Sequence, residues 1–157
     1  MHIRRAEKKD SAAILRLLSQ VLTIHADLRP DLFIPGTTKY TEEDLAKKFV
    51  NDQAPVFVAV DDEDTVLGYA FCIFEEQKAG NNMRAFRRLY IDDLCVDESR
   101  RCEHVGEALF QYVTEEARRH DCYEIILNVW EGNESAQAFY ERMGMKPKCT
   151  QMELVLS

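Results

Sequence analysis

The stretch LCVDESRRCEHVGEAL, residues 94–109, decides the fold of this chain. It begins with apolar residues typical of a strand, passes through a basic turn at Arg100 and Arg101, and continues with apolar residues at helical spacing. A turn from a strand into a helix gathers free backbone N–H groups at the positive helix end, which suits a pyrophosphate. Gly106 lets a ligand approach the backbone closely. A plain strand-to-helix turn with solvated arginines explains the same residues about equally well.

A second stretch, LNVWEGNESAQAFYERMGM at residues 127–145, also leads from a strand through a turn into a helix. Asn133 is a favourable N-cap residue, and Gly144 is a natural residue to end the helix. Phe139 and Tyr140 have the spacing of core residues on one helix face. These structural roles do not exclude functional ones at the same positions.

Working outward, the hydrophobic pattern predicts the remaining elements. Apolar residues from Ile14 to Leu22 at helical spacing predict the first helix, and Thr41 with Asp44 predicts a capping box for the second. The predicted strands are 2–5, 55–60, 66–74, 89–96, 123–129 and 149–156, with a polar loop at 77–88. The order β-α-α-β-β-β-α-β-α-β combines hairpins with crossovers, so the expected fold class is α/β (α+β), a mixed sheet flanked by helices.

Composition limits the possible functions. The 157 residues fit one compact domain, and 46% hydrophobic with 31% charged residues is typical of an ordinary globular protein. The net charge of −8 argues against nucleic acid as a partner and mainly favours solubility. No apolar run could span a membrane and no signal peptide is present, so we expect a cytoplasmic protein. Five cysteines without a close pair predict neither a disulfide framework nor a metal site.

Together the two stretches resemble motifs of the GNAT superfamily of N-acetyltransferases. Residues 101–106 are similar to the acetyl-CoA loop [Q/R]-x-x-G-x-[G/A], and residues 90–96 look like its lead-in strand. Residues 133–145 are similar to the pattern N-x-x-A-x-x-[F/L]-Y-x-x-x-G-[F/M]. His104 and Cys102 stand where the family often has glycine. The resemblance implies one N-acetyltransferase domain over 1–157, with a mostly antiparallel sheet.

The resemblance also implies where acetyl-CoA binds as co-substrate. The strand before the loop would splay from its neighbour, pair with the pantetheine arm and polarise the thioester carbonyl. Amides of the loop would hold the pyrophosphate, and the second motif would pack beside the pantetheine. The implied cofactor-binding residues are Leu94, Cys95, Val96, Arg101, Cys102, Glu103, His104, Val105, Gly106, Glu107, Asn133, Ala136, Phe139 and Tyr140.

Tyr140 matches the family position that often acts as general acid. A phenol with a pKa near ~10 is a plausible donor to a departing thiolate whose pKa is near ~8.5. The general base is not fixed by a motif, and some relatives carry a glutamate where this chain has Asn128. The candidates are Asp92 and Asp93, and strand alternation predicts that these two face opposite sides of the sheet. Further candidates are Glu75, Glu76 and water. Covalent catalysis by Cys95 or Cys102 is not expected, because no activating residue is apparent.

The acceptor site of the family lies between the first two helices, where this chain has residues 25–33. His25 and Phe33 are the candidate substrate-binding residues there, although His25 could instead cap a helix end. The expected function is transfer of acetyl to a primary amine of a small molecule or peptide through a ternary complex. A non-catalytic acyl-CoA sensor on the same fold is the alternative, motivated by His104 and the missing base. Relatives that dimerise through late strands suggest a homodimer.

Overall fold

A five-stranded mixed sheet forms the centre of the computed structural model, which describes residues 1–157. The strands are β1 (His2–Arg5), β2 (Val56–Val60), β3 (Val66–Gln77), β4 (Phe86–Val96) and β5 (Glu124–Ile126). They lie in the order β1-β2-β3-β4-β5. Neighbours from β1 to β4 are antiparallel, whereas β5 runs parallel to β4. The predicted mixed and mostly antiparallel sheet is therefore confirmed.

Four α-helices accompany the sheet. They are α1 (Ser11–Leu28), α2 (Glu42–Phe49), α3 (Val105–Arg119) and α4 (Glu134–Arg142). The capping box predicted at the start of α2 is present, because Thr41 Oγ1 accepts the N–H of Asp44 at 3.1 Å and the Asp44 carboxylate accepts the N–H of Thr41 at 2.9 Å. No helix combines the length and apolarity needed to cross a bilayer.

Two hydrophobic cores cover the two faces of the sheet. Ile14, Leu17 and Leu18 of α1 are buried in one core, as the spacing predicted. Leu109 and Val113 of α3 are buried in the other. Alternate strand residues feed the two cores because successive side chains in a strand point to opposite faces. The sheet thus separates an α1 side from an α3 side.

A β-bulge in β4 interrupts this alternation. Phe71 of β3 is paired with Asp93, but the next residue, Cys72, is paired with Ile91, so Asp92 is an extra residue in β4. Ile91 packs in the core beneath α3, whereas Cys95, four residues later, packs in the core beneath α1. An extra residue reverses the facing of everything after it. The bulge therefore reverses the face of the sheet to which each side chain at the end of β4 points.

Several predicted bounds are wrong. The β3–β4 hairpin is longer than expected, since β3 reaches Gln77 and β4 begins at Phe86, within the predicted loop 77–88. Strand β5 is shorter than the predicted 123–129, because its pairing with β4 ends at Ile126. The predicted strand 149–156 is absent. Residues 146–157 make no backbone–backbone hydrogen bond, and a strand cannot form without a partner.

Candidate functional site

A gap opens between β4 and the chain that follows β5. The two strands pair only from Arg88–Glu124 to Tyr90–Ile126, although β4 continues to Val96. The N–H of Asp97 donates to Leu67 O of the β3 side at 2.8 Å. Because N–H groups alternate between the two edges of a strand, those of Leu94 and Val96 point to the gap. The gap therefore offers backbone donors to an extended ligand, in line with the splay that the family resemblance implied.

The loop after β4 has an unusual backbone. Its start is fixed by Asp97, whose carboxylate accepts from Ser99 N at 3.1 Å and from Arg16 at 2.6 Å. Cys102 and His104 have φ angles of 70° and 60°. This left-handed region is costly for residues other than glycine. The two positions thus keep a glycine-like conformation where the sequence motif has lost its glycines.

The loop presents an uninterrupted run of free donors. None of the backbone N–H groups from Arg101 to Glu107 has a hydrogen-bond acceptor, and the last of them form the first turn of α3. The positive end of the helix dipole adds to their attraction for an anion. Arg101 makes no ion pair, whereas Arg100 is held by Glu103 at 3.0 Å. This geometry suits a pyrophosphate bound by amides with Arg101 beside them.

Gly106 serves a packing purpose that the sequence did not reveal. A Cβ at this position would lie 3.3 Å from the ring of Phe139 and 3.4 Å from Val96 Cγ2. The absence of a side chain therefore allows α4 to pack closely on the start of α3. Val105 and Ala136 lie at the starts of these two helices, and the Ala136 N–H donates to Asn133 Oδ1 at 3.2 Å. Asn133 is thus the N-cap of α4, and its amide nitrogen has no partner in the chain.

Tyr140 lies over the α3 core. Its ring centroid is 5.1 Å from that of Phe139 and 6.2 Å from that of Phe110. Its hydroxyl makes no hydrogen bond within the chain. Burial raises the pKa of Tyr140 well above its ordinary value, and the negative charge of Asp93 raises that pKa further. The phenol therefore stays protonated at neutral pH and can act only as a proton donor.

The two aspartates of the bulge lie on the same face, so the prediction of opposite faces is wrong. Asp92 accepts from Tyr40 Oη at 2.5 Å and lies 2.9 Å from Lys39 Nζ. Asp93 accepts from Tyr69 Oη at 2.7 Å. Alternation fails here because the extra residue of the bulge rotates Asp93 toward the α1 side. Both candidate bases are thereby brought toward the site.

Asp93 has the chemistry of a base that works near neutral pH. Burial raises the pKa of its carboxyl from 3.8 to about 6, while the hydrogen bond from Tyr69 opposes this shift. A base is most useful when its pKa lies near the working pH. Asp92, in contrast, is already occupied by a hydroxyl and an ammonium group. The structure thus distinguishes the two aspartates.

The remaining candidates for base or nucleophile have other partners or unsuitable chemistry. Glu75 and Glu76 pair with Arg88 at 3.5 Å and Arg87 at 3.0 Å, in the part of the hairpin before the gap. Burial raises the pKa of Cys95 to about 12, so its thiol is not a ready nucleophile. No group of His, Cys, Asp and Glu is arranged to hold a metal ion.

An aromatic cluster stands at the expected acceptor position. His25 and Phe33 lie together, with ring centroids 5.2 Å apart, and Trp130 packs edge-on against Phe33 at 5.5 Å. Burial lowers the pKa of His25, and the charge of Lys39 lowers it further, so the imidazole is neutral. Trp130 was not predicted, although a lone tryptophan directly after a strand could have indicated it.

Gly68 is a second position that the sequence reading missed. A Cβ there would lie 2.7 Å from Cys95 O and 3.1 Å from Leu109 Cδ1. Only glycine lets β3 and α3 close on the end of β4 in this way. Gly68 therefore fixes the strand whose amides line the gap.

Comparison with known proteins identifies the same elements. The family model described as the Acetyltransferase (GNAT) family matches residues 21–145, from within α1 to just beyond α4. A glucosamine 6-phosphate N-acetyltransferase from Trypanosoma brucei brucei is 36% identical over 67 residues, which are 43% of this chain and 44% of that protein. The aligned part thus spans less than half the length of that relative.

Solved structures share the whole architecture. A mutant of the BH1408 protein from Bacillus halodurans has a TM-score of 0.96 at 29% identity, covering 100% of both chains. A glucosamine-6-phosphate N-acetyltransferase from Arabidopsis thaliana has a TM-score of 0.72 at 20% identity, covering 99% of this chain and 98% of that one. At that identity, the second likeness concerns the fold alone.

Proposed function

Because this chain belongs to the GNAT family of acetyltransferases, we propose that it is an N-acetyltransferase that moves an acetyl group from acetyl-CoA to a primary amine. One observation supports acetyl-CoA as the donor of the acetyl group. The free N–H groups of residues 101–107 lie at the start of α3, directly after the strand whose Leu94 and Val96 amides line the gap. A ligand with a pyrophosphate and an extended amide-bearing arm fits both features at once.

The first step of the proposed reaction is attack of a neutral amine on the thioester carbonyl carbon. The carbonyl oxygen then becomes an oxyanion, which the gap-facing amides of β4 would stabilise. Asp93, or a water beside it, would take the proton that the attacking nitrogen gives up. The attack takes place directly, within a complex that holds both substrates.

The second step is breakage of the C–S bond, with a proton passing from Tyr140 to the departing thiolate. Burial raises the pKa of Tyr140 and opposes this transfer, and the negative charge of Asp93 opposes it further. Once Asp93 has taken the proton of the amine, that charge is gone and the phenol becomes more acidic. The two groups would therefore act in sequence, with protonation of the base making the phenol a somewhat stronger acid.

The acceptor is proposed to be the amine of a small molecule or a peptide. The cluster of His25, Phe33 and Trp130 supports a binding surface between α1 and the chain after β5. The name of the trypanosomal relative makes glucosamine 6-phosphate the first compound to test, followed by polyamines, amino acids and peptides. The net charge of −8 is compatible with a cationic acceptor.

The alternative of a non-catalytic sensor loses its main motivation. It was suggested by His104 in place of a glycine, but His104 and Cys102 both keep the backbone conformation that glycine would supply. The second motivation, a missing base, is met by Asp93 with its pKa near neutral. We therefore favour catalysis.

We further propose that residues 1–157 make up one N-acetyltransferase domain and that the protein acts in the cytoplasm as a homodimer. The match of the family model to most of the chain supports the first point. The location rests on the sequence alone. The C-terminal segment, whose apolar side chains are exposed, supports the dimer.

Thermal melting with acetyl-CoA, CoA and ATP is the first test. A ligand that binds only the folded protein raises the melting temperature by mass action. We expect acetyl-CoA and CoA to raise it and ATP to leave it unchanged. No shift at millimolar acetyl-CoA would overturn the assignment of the donor.

Replacement Tyr140→Phe tests the role of the acid. The ring contacts remain, so the fold and the melting shift with acetyl-CoA should be preserved. The turnover number should fall about 100-fold or more, because general acids typically contribute 10²–10⁴-fold. An unchanged turnover number would remove Tyr140 from the mechanism without affecting the donor assignment.

A further inference from the structure

Two side chains of α1 hold the loop that lies between β4 and α3. Arg16 Nη1 donates to the Asp97 carboxylate at 2.6 Å, and the Glu98 N–H donates to Gln20 Oε1 at 3.2 Å. Arg16 and Gln20 are about one helical turn apart, so they lie on the same face of α1. The loop is therefore attached to a helix whose contacting residues precede it by 78 to 81 positions in the chain.

Asp97 is a well-fixed point for this attachment. The residue is buried, and its N–H donates to Leu67 O of β3 at 2.8 Å. Its carboxylate also accepts the N–H and the hydroxyl of Ser99, at 3.1 Å and 2.9 Å. Burial opposes ionisation of Asp97, but the hydrogen bonds from Arg16 and Ser99 outweigh it and lower the pKa of the carboxyl to about 2. The carboxylate is therefore charged throughout the neutral range, and its ion pair with Arg16 persists there.

The middle of the loop has little support from the rest of the chain. Arg100 Nε lies 3.0 Å from the Glu103 carboxylate, within the loop itself. His104 Nδ1 lies 3.2 Å from the Glu107 carboxylate, in the first turn of the adjoining α3. No side chain of residues 101–104 makes a hydrogen bond or an ion pair with another part of the fold. The loop is thus held by its two ends.

The conformation of the loop needs such support. Cys102 and His104 have left-handed φ angles of 70° and 60°, although both carry a Cβ. A residue with a side chain keeps this costly conformation only where its surroundings impose it. Glycine would adopt the same conformation without the cost. An anchored start is therefore more important to this loop than it would be to a loop with glycine at these two positions.

We propose that Arg16, assisted by Gln20, is a positioning residue for the donor. By fixing Asp97 and Glu98, the two side chains hold the loop in the conformation in which the N–H groups of residues 101–107 can bind a pyrophosphate together. Arg16 acts through the loop and needs no contact with acetyl-CoA. The inference rests on the proposed function, because it takes the donor to bind at these amides. The attachment to α1 compensates for the glycines that the loop lacks.

The consequence for binding depends on the fraction of the protein that has the loop in this conformation. A ligand that binds one conformation has an apparent dissociation constant equal to the intrinsic constant divided by the fraction of protein in that conformation. Loss of Arg16 lowers that fraction, because Cys102 and His104 can then leave the left-handed region. The apparent dissociation constant for acetyl-CoA should therefore rise, although no group that touches the ligand has changed.

Titration calorimetry of the full chain with acetyl-CoA and with CoA tests the proposal, and it requires no acceptor. In Arg16→Ala the dissociation constant should rise about tenfold, which is the size of the cost of returning one residue to the left-handed region. Arg16→Lys keeps a positive charge beside Asp97 and should restore most of the affinity. An unchanged dissociation constant in Arg16→Ala would overturn the proposal.

The control is Arg4→Ala, which also removes an arginine from a buried aspartate. Arg4 lies in β1, at the edge of the sheet away from the gap, and its Nη1 is 2.8 Å from the carboxylate of Asp10. This variant should lower the melting temperature but leave the dissociation constant for acetyl-CoA unchanged. A rise as large as that of Arg16→Ala would mean that loss of stability alone weakens binding, and the proposal would fail.

Replacement of both strained residues by glycine tests whether Arg16 offsets the cost of their conformation. In a chain that carries Cys102→Gly and His104→Gly, Arg16→Ala should raise the dissociation constant less than about threefold, because glycine keeps the left-handed conformation without help. The same tenfold rise with and without the two glycines would contradict the proposal.

Gln20→Ala provides the same comparison without leaving a buried charge unpaired, so it remains decisive if Arg16→Ala does not fold. Loss of its hydrogen bond to the Glu98 N–H should raise the dissociation constant about threefold in the wild-type background, and the two glycines should abolish this rise.

The titrations also distinguish failure of this inference from failure of the proposed function. A wild type that binds neither acetyl-CoA nor CoA would overturn the proposed function and this inference with it. Equal binding by the wild type, Arg16→Ala and Gln20→Ala would leave the assignment of the donor in place and overturn only the role of α1.

Discussion

Residues 1–117 and residues 118–157 differ in how completely their side chains are buried. Every buried residue lies at or before Ala117, in the two cores around β1–β4, α1, α2 and α3. The later part contains β5, α4 and the C-terminal segment 146–157, and it has no buried residue. Yet this later part carries Tyr140, Asn133 and Trp130. The first part is therefore well packed by itself, whereas the later part, which contributes Tyr140, Asn133 and Trp130 to the candidate site, is left half-covered.

This difference has a physical reason. Side chains beside a binding site stay partly exposed in the unliganded chain, because a bound molecule completes their burial. Phe139 and Tyr140 of α4, and Ile125 and Leu127 at the end of the sheet, are only partly buried against the α3 core. Complete burial there would leave no room for a ligand or partner. We therefore expect the binding of substrates to cover part of this later region.

The largest change in stability is expected from Leu109→Ala, in the well-packed first part of the chain. Leu109 is fully buried between α3 and the sheet, so its truncation leaves a cavity. We expect the free energy of unfolding to fall by about 2–5 kcal/mol. Chemical denaturation measures this value. Leu154→Ala, measured at a concentration where the protein is monomeric, is the matched control and should change it by less than ~0.5 kcal/mol. Equal losses would mean that the two regions are equally packed.

The sequence predicted the framework well because its signals are local. The apolar spacing of α1 and α3, the capping box of α2 and the strand-to-helix turn before Val105 all depend on neighbours in the chain. The two motifs also indicated most of the candidate site. What they could not supply was the bulge at Asp92, because an extra residue is defined only against the register of β3.

The errors concern features whose partners lie far away. The strand predicted at 149–156 has the right alternation, but nothing within the chain pairs with it. Gly68 and Gly106 are required by Cys95 O and by the ring of Phe139, contacts that no local pattern reveals. Trp130 and His25 are far apart in the sequence and come together only in the folded chain. Sequence reasoning therefore failed where distant parts of the chain, or other molecules, complete the structure.

The pH dependence of activity tests the role of Asp93. This residue belongs to the well-packed part of the chain and lies beside the half-covered later part. Its pKa is raised from 3.8 to about 6, so the rate constant kcat/KM should fall as the pH drops through about 6 and the base becomes protonated. Below that point the fall should approach ~10-fold per pH unit. In Asp93→Asn the rate should be low and this inflection should vanish. An unchanged inflection would assign it to another group.

Ionisation of Asp93 should lower the stability of the fold, although it should raise the activity. The folded state holds the proton more tightly than the unfolded state, so the ionised carboxyl destabilises the fold at pH above about 6. This destabilisation should disappear as the pH falls from 6 to below 3.8. Melting temperatures of the wild type and of Asp93→Asn should therefore converge at low pH after subtraction of effects common to both. A constant difference would mean that Asp93 is neutral throughout.

The smallest effect is expected from Arg101→Ala. Arg101 lies in the loop before α3, where the pyrophosphate of the donor is proposed to bind. Arg101 is exposed and has no ion-pair partner, so its removal should leave the fold unchanged and weaken only the contact with phosphate. The KM for acetyl-CoA should rise about three- to tenfold with kcat unchanged, and the effect should shrink at high salt. Arg118→Ala, at the other end of α3, removes the same charge from the protein and is the control. A similar rise in both variants would show that only the overall field matters, whereas a rise confined to Arg101→Ala would locate the pyrophosphate at the start of α3.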